Sequence, residues 1–364
     1  MRATLPIQLA TAVSDAARHH PTPVFFVSAS VLLAVAIVAG ISIGSTSIAW
    51  EAVARVLASK ALPAGTIDLA GISEAEQVIV WLIRTPRVIV AGLAGAALAA
   101  AGTQMQGVFR NPLAEPSVIG VSQGAALGAV VVFVTGLAAR SALWVPLFAF
   151  AGAFVALLLV YLIASGGGRT PVATLLLAGI ALGAMLSAAA SLLISLSFVD
   201  WQVAAEIVFW MMGGLESRTW THVWISLPFV ALGLLLSLWY ARDLDLMLLG
   251  EETSASLGVE VEAVKGVILT TAAILTGSAV AVSGIVGFAG LVVPHAVRLV
   301  LGPAHRILLP ASVVAGAAFL ILCDLLARTV HSPTEIRLGI VTAAFGAPFF
   351  LYLLRRRRKE VGYF

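Results

Sequence analysis

The sequence predicts an all-α polytopic membrane protein with about ten transmembrane helices. Hydrophobic residues make up 60% of the 364 residues and charged residues only 11%, against about 45–50% and about 25% in soluble domains. No long polar linker or block of charge divides the chain. The sequence therefore predicts one transmembrane domain.

Apolar runs of helix length follow one another along the chain. A crossing of the hydrocarbon core, about 30 Å thick, needs about 20 residues at about 1.5 Å each. The predicted spans are 24–43, 88–108, 118–138, 142–164, 172–196, 222–240, 266–284, 285–300, 307–327 and 338–354. The stretch 266–300 is too long for one crossing and short for two, so we predict a full helix followed by a short one.

Clustered lysine and arginine residues predict the orientation. Arg355 to Lys359 form a basic run after the last span, and Arg2 and Arg18 precede the first. Both termini are therefore predicted to lie in the cytoplasm of a bacterial cell, with the protein in the inner membrane. The predicted division is a cytoplasmic segment 1–23, a transmembrane permease domain 24–354 and a basic tail 355–364.

A polar elbow interrupts the hairpin formed by the second and third spans. Prolines 112 and 116 remove backbone donors and restrict the residue before each, so the chain must leave helical geometry there. Asn111, Glu115, Ser117 and Ser122 are candidates to satisfy the exposed backbone. Glycines 120, 124 and 128 stand four apart and present a bare face on which another helix can pack.

Three connections are long enough to carry structure. Residues 46–60 and 200–215 have helical amphipathic patterns, the second ended by Gly213-Gly214, and are predicted to lie along the membrane surface. The loop 241–265 is acidic but contains the apolar run Leu246 to Leu249. Consecutive apolar residues in a polar loop favour a surface for a soluble partner.

Several kinds of chemistry have no support in the sequence. The only lysines are Lys60, Lys265 and Lys359, and none follows glycine, so the chain has no P-loop and cannot hydrolyse ATP itself. We predict no enzyme activity, no metal site and no nucleic-acid binding. Cys323 is the single cysteine, and Asp324 beside it is either a proton relay or a hydrogen-bonded group between helices.

A set of motifs resembles the permeases of type II ABC importers, the family that handles vitamin B12, ferric siderophores and haem. The resemblance runs in order from Arg84 to the C-terminus. Its motifs are RTPR at 84–87, NPLAEP at 111–116, LLLAG at 175–179, FWMMGG at 209–214, GFAGLVVPH at 287–295 and GAP at 346–348.

The resemblance implies the assembly around this chain. It implies a homodimer with a central translocation path, two ATPase subunits in the cytoplasm and an external periplasmic or surface substrate-binding protein. ATP and Mg would be used by the ATPase, and this chain would bind no cofactor. Membrane lipid would surround the dimer.

The resemblance also implies roles for particular residues. Arg84, Arg87 and Arg328 would meet acidic residues of the binding protein. The loop that docks into the ATPase would include Glu251, Glu252, Leu257 and Gly258. The inner gate would comprise Asn111 and Leu113 together with Val172 and Ala173 in a 170–174 loop. Val172-Ala173 replaces the Ser/Thr-rich pair of the B12 permease pattern and makes the gate more apolar.

The implied substrate is an iron complex. Haem is favoured over a ferric siderophore from the general character of the segment EIVFWMMGGLESRTW at 206–220. His295 and His305 are candidate substrate contacts, although a helix cap or a loop hydrogen bond is the alternative for each. A cobalamin permease of the same family is the alternative within the class, and an ATP-independent secondary transporter is the alternative outside it.

Overall fold

A computed structural model describes residues 22–360 of the protein, except 45, 64, 142, 198 and 199. Arg2, Arg18 and nearly all of the predicted N-terminal segment lie outside this part. In the described part, the helices are α1 Thr22–Ser42, α2 Trp50–Ala61, α3 Glu74–Val108, α4 Val121–Val134, α5 Leu137–Arg140, α6 Trp144–Ala164, α7 Val172–Ser197, α8 Trp201–Met211, α9 Trp220–Trp239, α10 Ala241–Met247, α11 Glu251–Ser256, α12 Val261–Ser283, α13 Ala289–Leu301, α14 His305–Thr329 and α15 Leu338–Glu360.

The predicted all-helical membrane architecture is confirmed in its coarse form. Among the described residues, seven helices are long and apolar enough to cross a membrane, namely α1, α3, α6, α7, α9, α12 and α14. The other three predicted spans coincide with the shorter apolar helices α4, α13 and the first part of α15. The stretch 266–300 does form a long helix, α12, followed by a short one, α13.

Three helices form the centre of the bundle. α3, α12 and α14 are mostly buried, and α3 packs against both of the others as well as α9 and α13. The helices α1, α6, α7 and α9 surround this centre and turn most of their apolar side chains outward. Outward-facing apolar surface of this kind suits lipid or another membrane subunit.

The first arm of the hairpin is longer than predicted. Ser73 and Glu76 form a capping box that starts α3 well before the predicted Val88, and the segment Ile79–Arg84 has π-helical geometry. The apolar run at 78–83 belongs to the same helix, but Arg84, Pro86 and Arg87 separate it from the predicted span. At about 1.5 Å per residue the 35 residues of α3 extend about 50 Å, more than the hydrocarbon thickness. α3 is therefore longer than one perpendicular crossing of the hydrocarbon layer requires.

The elbow and its glycines follow the prediction with one shift. Pro116–Ile119 is a 3-10 turn, so the return helix α4 begins at Val121 and not at Val118. A β-carbon at Gly124 or Gly128 would overlap a backbone carbonyl oxygen of α6, which confirms the close approach predicted for this face. Gly120 instead ends the 3-10 turn with φ +79°.

Both predicted amphipathic helices are present. α2 buries Val53 and Val56 on one face and leaves Trp50 exposed. The Asp200 carboxylate accepts a hydrogen bond from Gln202 N at 3.0 Å and caps α8. Gly213 has φ +73° just after α8, which agrees with the predicted stop.

Candidate functional site

The residues with predicted functional roles lie at two ends of the helical bundle. The elbow end contains the elbow at 109–120, the 165–171 connection and the helices α10 and α11. The arginine end contains Arg84, Arg87 and Arg328, near the last turns of α1 and α14.

The elbow is braced by its own polar groups. Asn111 Oδ1 accepts a hydrogen bond from Leu113 N at 3.0 Å, and both residues are exposed. Glu115 accepts a hydrogen bond from the backbone N–H of Phe288, in the break between α12 and α13. Burial raises the pKa of Glu115, and the bonds from Phe288 and Ser117 only partly offset this increase. The elbow therefore contacts the second break of the bundle directly.

The connection between α6 and α7 is a tight turn. Gly166 and Arg169 exchange two backbone hydrogen bonds of 3.0 and 3.1 Å. Gly167 and Gly168, between them, both have positive φ, of 60° and 75°, a geometry that favours glycine. Thr170 follows the turn and is buried.

The predicted span 172–196 is confirmed at its start, but the 170–174 loop assigned to the gate extends into it. α7 begins at Val172, so Val172 and Ala173 occupy its first turn and not a loop. Pro171 directly precedes the helix, and its fixed φ suits the beginning of a helix. Ala173 is exposed and Val172 half-buried. Their role in a gate stays a prediction.

The 241–265 connection folds into α10, α11 and the first turn of α12. α10 packs against the C-terminal end of α3 and the start of α14. Leu249 and Leu257 are 60% and 56% exposed, beside the exposed Glu252 and Gly258. An exposed pair of leucines next to carboxylates is a candidate docking surface. We call residues 249–258 the coupling surface.

Lys265 joins this surface to the α6–α7 turn. Its side chain is fully buried, and Nζ lies 2.8 Å from Glu251 Oε2 and 3.1 Å from Glu262 Oε1. Nζ also donates to the carbonyl oxygen of Thr170 at 3.1 Å. Glu251 is thus held from inside the protein, whereas Glu252 faces outward.

His305 is bound to the same connection. It is fully buried at the start of α14, and its Nδ1 lies 3.0 Å from Asp245 Oδ1 on α10. Asp245 Oδ1 also accepts the backbone N–H of His305 and so caps α14. The structure thus favours the structural alternative for His305, a hydrogen bond of its ring to a neighbouring segment. His295 is buried in α13, and substrate contact by either histidine stays a prediction.

The three arginines of the opposite end lie together, but they are buried. Arg84, Arg87 and Arg328 are only 5–9% exposed. Arg84 Nη1 donates to the carbonyl oxygens of Ile41 and Ser42, at 2.9 and 2.7 Å, and Arg328 donates to that of Gly40. Two of the cations thus satisfy carbonyl groups at the end of α1. The long α3 carries Arg84 and Arg87 into the packed bundle, and contact of the three arginines with a binding protein stays a prediction.

Arg87 is held by two carboxylates. Its guanidinium donates to Asp324 at 2.8–3.1 Å and to Glu335 at 2.6 and 2.8 Å. Asp324 is 1% exposed and also lies 3.6 Å from Arg328. The structure thus favours the second alternative for Asp324, a hydrogen-bonded group between helices.

The segment 206–220 lines a polar cavity at the arginine end. Arg337 pairs with Glu216 at 2.9 Å, and its guanidinium lies 4.4 Å from the ring centroid of Phe209. Trp210 and Arg218 line the same cavity. Aromatic rings and guanidinium groups therefore meet in one place.

Two kinds of site are not supported in the described residues. No group of three or more histidine, cysteine, aspartate or glutamate side chains there could hold a metal ion. The residues 120–124 spell Gly-x-Ser-x-Gly, the pattern of serine hydrolases, but here a 3-10 turn and not a strand precedes the serine's helix.

Sequence reasoning missed three of the residues that organise these sites: Lys265, Asp245 and Glu335. A signal existed for the first, because Glu262 precedes Lys265 by three residues and such pairs meet on a helix. The others depend on contacts between distant segments, which no local pattern reveals.

Comparison with known proteins gives a consistent result. A model of the FecCD transport family matches residues 32–356. The cobalamin import system permease protein BtuC of Halobacterium salinarum is 46% identical over 300 residues, which is 81% of this chain and 79% of that protein. The hemin transport system permease protein HmuU of Yersinia pestis is 42% identical over 287 residues, 77% of this chain and 84% of that protein.

A solved structure agrees in fold. It is described as an inward-facing conformation of a metal-chelate type ABC transporter. The TM-score is 0.79, with 29% identity over 92% of this chain and 99% of that one. The similarity thus covers nearly all of the helical bundle.

Proposed function

This chain belongs to the FecCD transport family, and we propose that it is the permease subunit of an ATP-driven importer that moves an iron complex across the inner membrane. Its relatives are permeases of type II ABC importers, which are transport components and not enzymes. The single observation that supports ATP-driven transport here is the coupling surface, where two exposed leucines and exposed carboxylates stand beside the elbow and the α6–α7 turn.

The proposed assembly contains two copies of this chain. The outward apolar faces of α7 and α15 are available for a second copy, with the path along the two-fold axis between them. Two ATPase subunits would bind the coupling surfaces, and an external binding protein would bind the opposite end. This arrangement places both termini in the cytoplasm and residues 24–354 in the permease domain. The chain itself would hold no cofactor, and the partner would use ATP and Mg.

The substrate we propose is haem or a ferric siderophore. The polar cavity at the arginine end supports this choice, because Arg337 and Arg218 suit carboxylate or catecholate groups while Phe209 and Trp210 suit a flat ring. An apolar gate lined by Val172 and Ala173 would hold no ligand tightly. Cobalamin, which names one relative, is the competing substrate.

The three buried arginines support docking of the binding protein at the arginine end. Arg84, Arg87 and Arg328 lie beneath the surface that the binding protein would cover, and together with the paired Asp324 and Glu335 they leave a net positive charge at that end. Charge of this kind orients an acidic partner and speeds its encounter. The gate residues Asn111 and Leu113 would open by alternating access when the ATPase closes.

The test is uptake into proteoliposomes that contain the permease, its ATPase and its binding protein. Haem, the siderophore ferrichrome and cobalamin are offered in parallel, with ATP or a non-hydrolysable analogue inside. We expect ATP-dependent uptake of haem or ferrichrome. Uptake of cobalamin alone would contradict the proposed substrate, and uptake without ATP hydrolysis would contradict the proposed class.

A further inference from the structure

Lys265 is the one lysine of the described residues that is fully buried, and it has a partner on each of three segments. Glu251 belongs to α11, Glu262 to the first turn of α12, and Thr170 to the connection before α7. A buried ammonium group is tolerated only when it is paired and hydrogen-bonded. The three segments are therefore held together by a single charged group.

Thr170 is held from two sides. Its carbonyl oxygen accepts from Lys265 Nζ at 3.1 Å, and its backbone N–H donates to Glu262 Oε2 at 3.0 Å. Its hydroxyl lies 3.0 Å from Ser165 Oγ, across the tight turn. The turn 165–170 is therefore braced internally and attached to the Lys265 cluster as one unit.

The geometry of this cluster relates the coupling surface to the start of α7. Glu251 is the first residue of α11 and its side chain is partly exposed, at 39%, whereas Lys265 is inaccessible. α7 begins two residues after Thr170, with Val172 and Ala173 in its first turn. A displacement of α11 would act on Glu251, then on Lys265, and then on the backbone that positions α7.

We propose that Lys265 is a positioning residue that transmits movement of the coupling surface to the α6–α7 turn and the start of α7. The inference rests on the proposed function, because it requires an ATPase that binds the coupling surface and moves it. It adds a specific mechanical link, through the pairs of Lys265 with Glu251 and Glu262. Loss of this link should leave the rate of ATP hydrolysis unchanged, but hydrolysis should no longer move the α6–α7 turn and the start of α7.

The experiment uses the full complex with a reporter on the turn. Arg169 is exposed, and Arg169→Cys in a Cys323→Ala background leaves one cysteine per permease copy, which is labelled with bimane before the complex is assembled. The emission change on adding ATP is recorded together with the ATPase rate and the uptake of whichever of haem, ferrichrome and cobalamin the unmodified complex imports. The variants are Lys265→Met and Glu262→Gln. The matched control is Glu260→Gln, which removes a neighbouring exposed carboxylate outside the cluster.

We expect the emission change and the ratio of uptake to ATP hydrolysis to fall about tenfold in Lys265→Met, within the range typical of coupling between sites. The fall should be smaller but measurable in Glu262→Gln, which loses one of the two ion pairs and keeps the Glu251–Lys265 pair and the bond from Lys265 to Thr170. The ATPase rate should stay near that of the control. Glu262→Gln keeps the test valid if Lys265→Met fails to fold, because Glu251 still pairs with Lys265 in that variant. Full emission change and full uptake in Glu262→Gln would overturn the inference. Absence of ATP-dependent uptake in the unmodified complex would instead overturn the proposed function.

Discussion

At the scale of single residues, Arg87 shows how this membrane protein accommodates buried charge. Asp324 lies 237 positions away in sequence, yet it accepts two of the guanidinium N–H groups of Arg87. Glu335 accepts at the other edge of the same group. Two carboxylates in forked geometry satisfy a planar guanidinium better than they would a lysine. Arg87 therefore ties α3 to α14 and to the loop before α15.

Removal of one partner of this buried pair should destabilise the bundle. Arg87→Met leaves Asp324 buried without its main counter-charge, and we expect a loss of about 3–5 kcal/mol. The thermal midpoint of the purified permease in detergent measures the change. Arg55→Met is the control, because Arg55 is exposed and bonds only the carbonyl oxygen of Ala70, at 3.3 Å, among the described residues. Equal midpoints for the two variants would show that the pair contributes nothing.

The contribution of Glu335 should depend on pH. Burial by itself raises the pKa of Glu335, but the hydrogen bonds and charge of Arg87, with the charges of Arg328 and Arg337, lower it below the ordinary 4.5. A carboxyl whose pKa is lower in the folded state stabilises it above the unfolded pKa, and this stability is lost as the pH falls through the folded pKa.

We therefore compare the wild type with Glu335→Gln across pH. The difference in thermal midpoint should be constant between about pH 7 and about pH 5 and should shrink below about pH 4. Subtracting the midpoint of Glu335→Gln from that of the wild type at each pH removes the contribution of the other carboxyl groups. A difference that grows on acidification would contradict the assignment.

At the scale of elements, α3 is the helix around which the others pack. Glycine residues on α3 allow the backbones of neighbouring helices to approach closely. A β-carbon at Gly95, for example, would overlap the carbonyl oxygen of Gly316 on α14. A β-carbon at Gly102 would overlap that of Gly290 on α13. Small residues of this kind are how membrane helices pack without a hydrophobic driving force between them. The position of α13 therefore depends on Gly102.

Adding one methyl group at Gly102 should separate α3 from α13. Gly102→Ala forces the backbone of α13 to move, whereas Gly92→Ala on the same helix places its β-carbon 3.4 Å from Ile321 Cδ1, an ordinary contact. We expect Gly102→Ala to lose most of the monodisperse protein in size-exclusion chromatography and Gly92→Ala to keep it. Both substitutions remove the same backbone freedom, so the difference isolates packing. Comparable yields would contradict the close contact.

Several elements were predictable from sequence for physical reasons. Runs of apolar residues locate the spans because the hydrocarbon thickness sets their length, and the two prolines locate the elbow. The start of α3 was missed because Arg84, Pro86 and Arg87 interrupt its apolar sequence. Its first turn is charged and is stabilised by the Ser73–Glu76 capping box. The start of α7 was placed correctly by its apolar run at 172–196, whereas the loop drawn at 170–174 extended into the first turn of that helix.

At the scale of the whole molecule, the contacts that organise function join distant segments. Lys265 and Thr170 are 95 positions apart, and Asp245 and His305 are 60 apart. The helical period relates residues only three or four positions apart. A single sequence can therefore predict that loop 241–265 docks a partner, but not which groups connect it to the rest of the bundle.

The coupling surface contains an exposed carboxylate that an ATPase could contact. Glu252 is exposed on α11 beside Leu249 and Leu257 and has no ion-pair partner among the described residues. If the ATPase docks there, Glu252→Arg places a cation where the interface would expect an anion, and a like-charge contact across an interface lowers affinity strongly. We expect about a tenfold loss of co-purified ATPase at low salt, equivalent to about 1.4 kcal/mol.

The matched control reverses the same charge at the other end of the bundle. Glu206→Arg changes an exposed glutamate on α8, far from the coupling surface, and should leave co-purification unchanged. High salt should narrow the difference between the two variants, because exposed charges are screened over about 8 Å at physiological ionic strength. Normal recovery of the ATPase with Glu252→Arg would place the docking surface elsewhere. Glu252 points outward, whereas Glu251 binds Lys265. Loss of ATPase binding in Glu252→Arg would therefore show that docking depends on a residue outside the Lys265 cluster, which is proposed to transmit the movement.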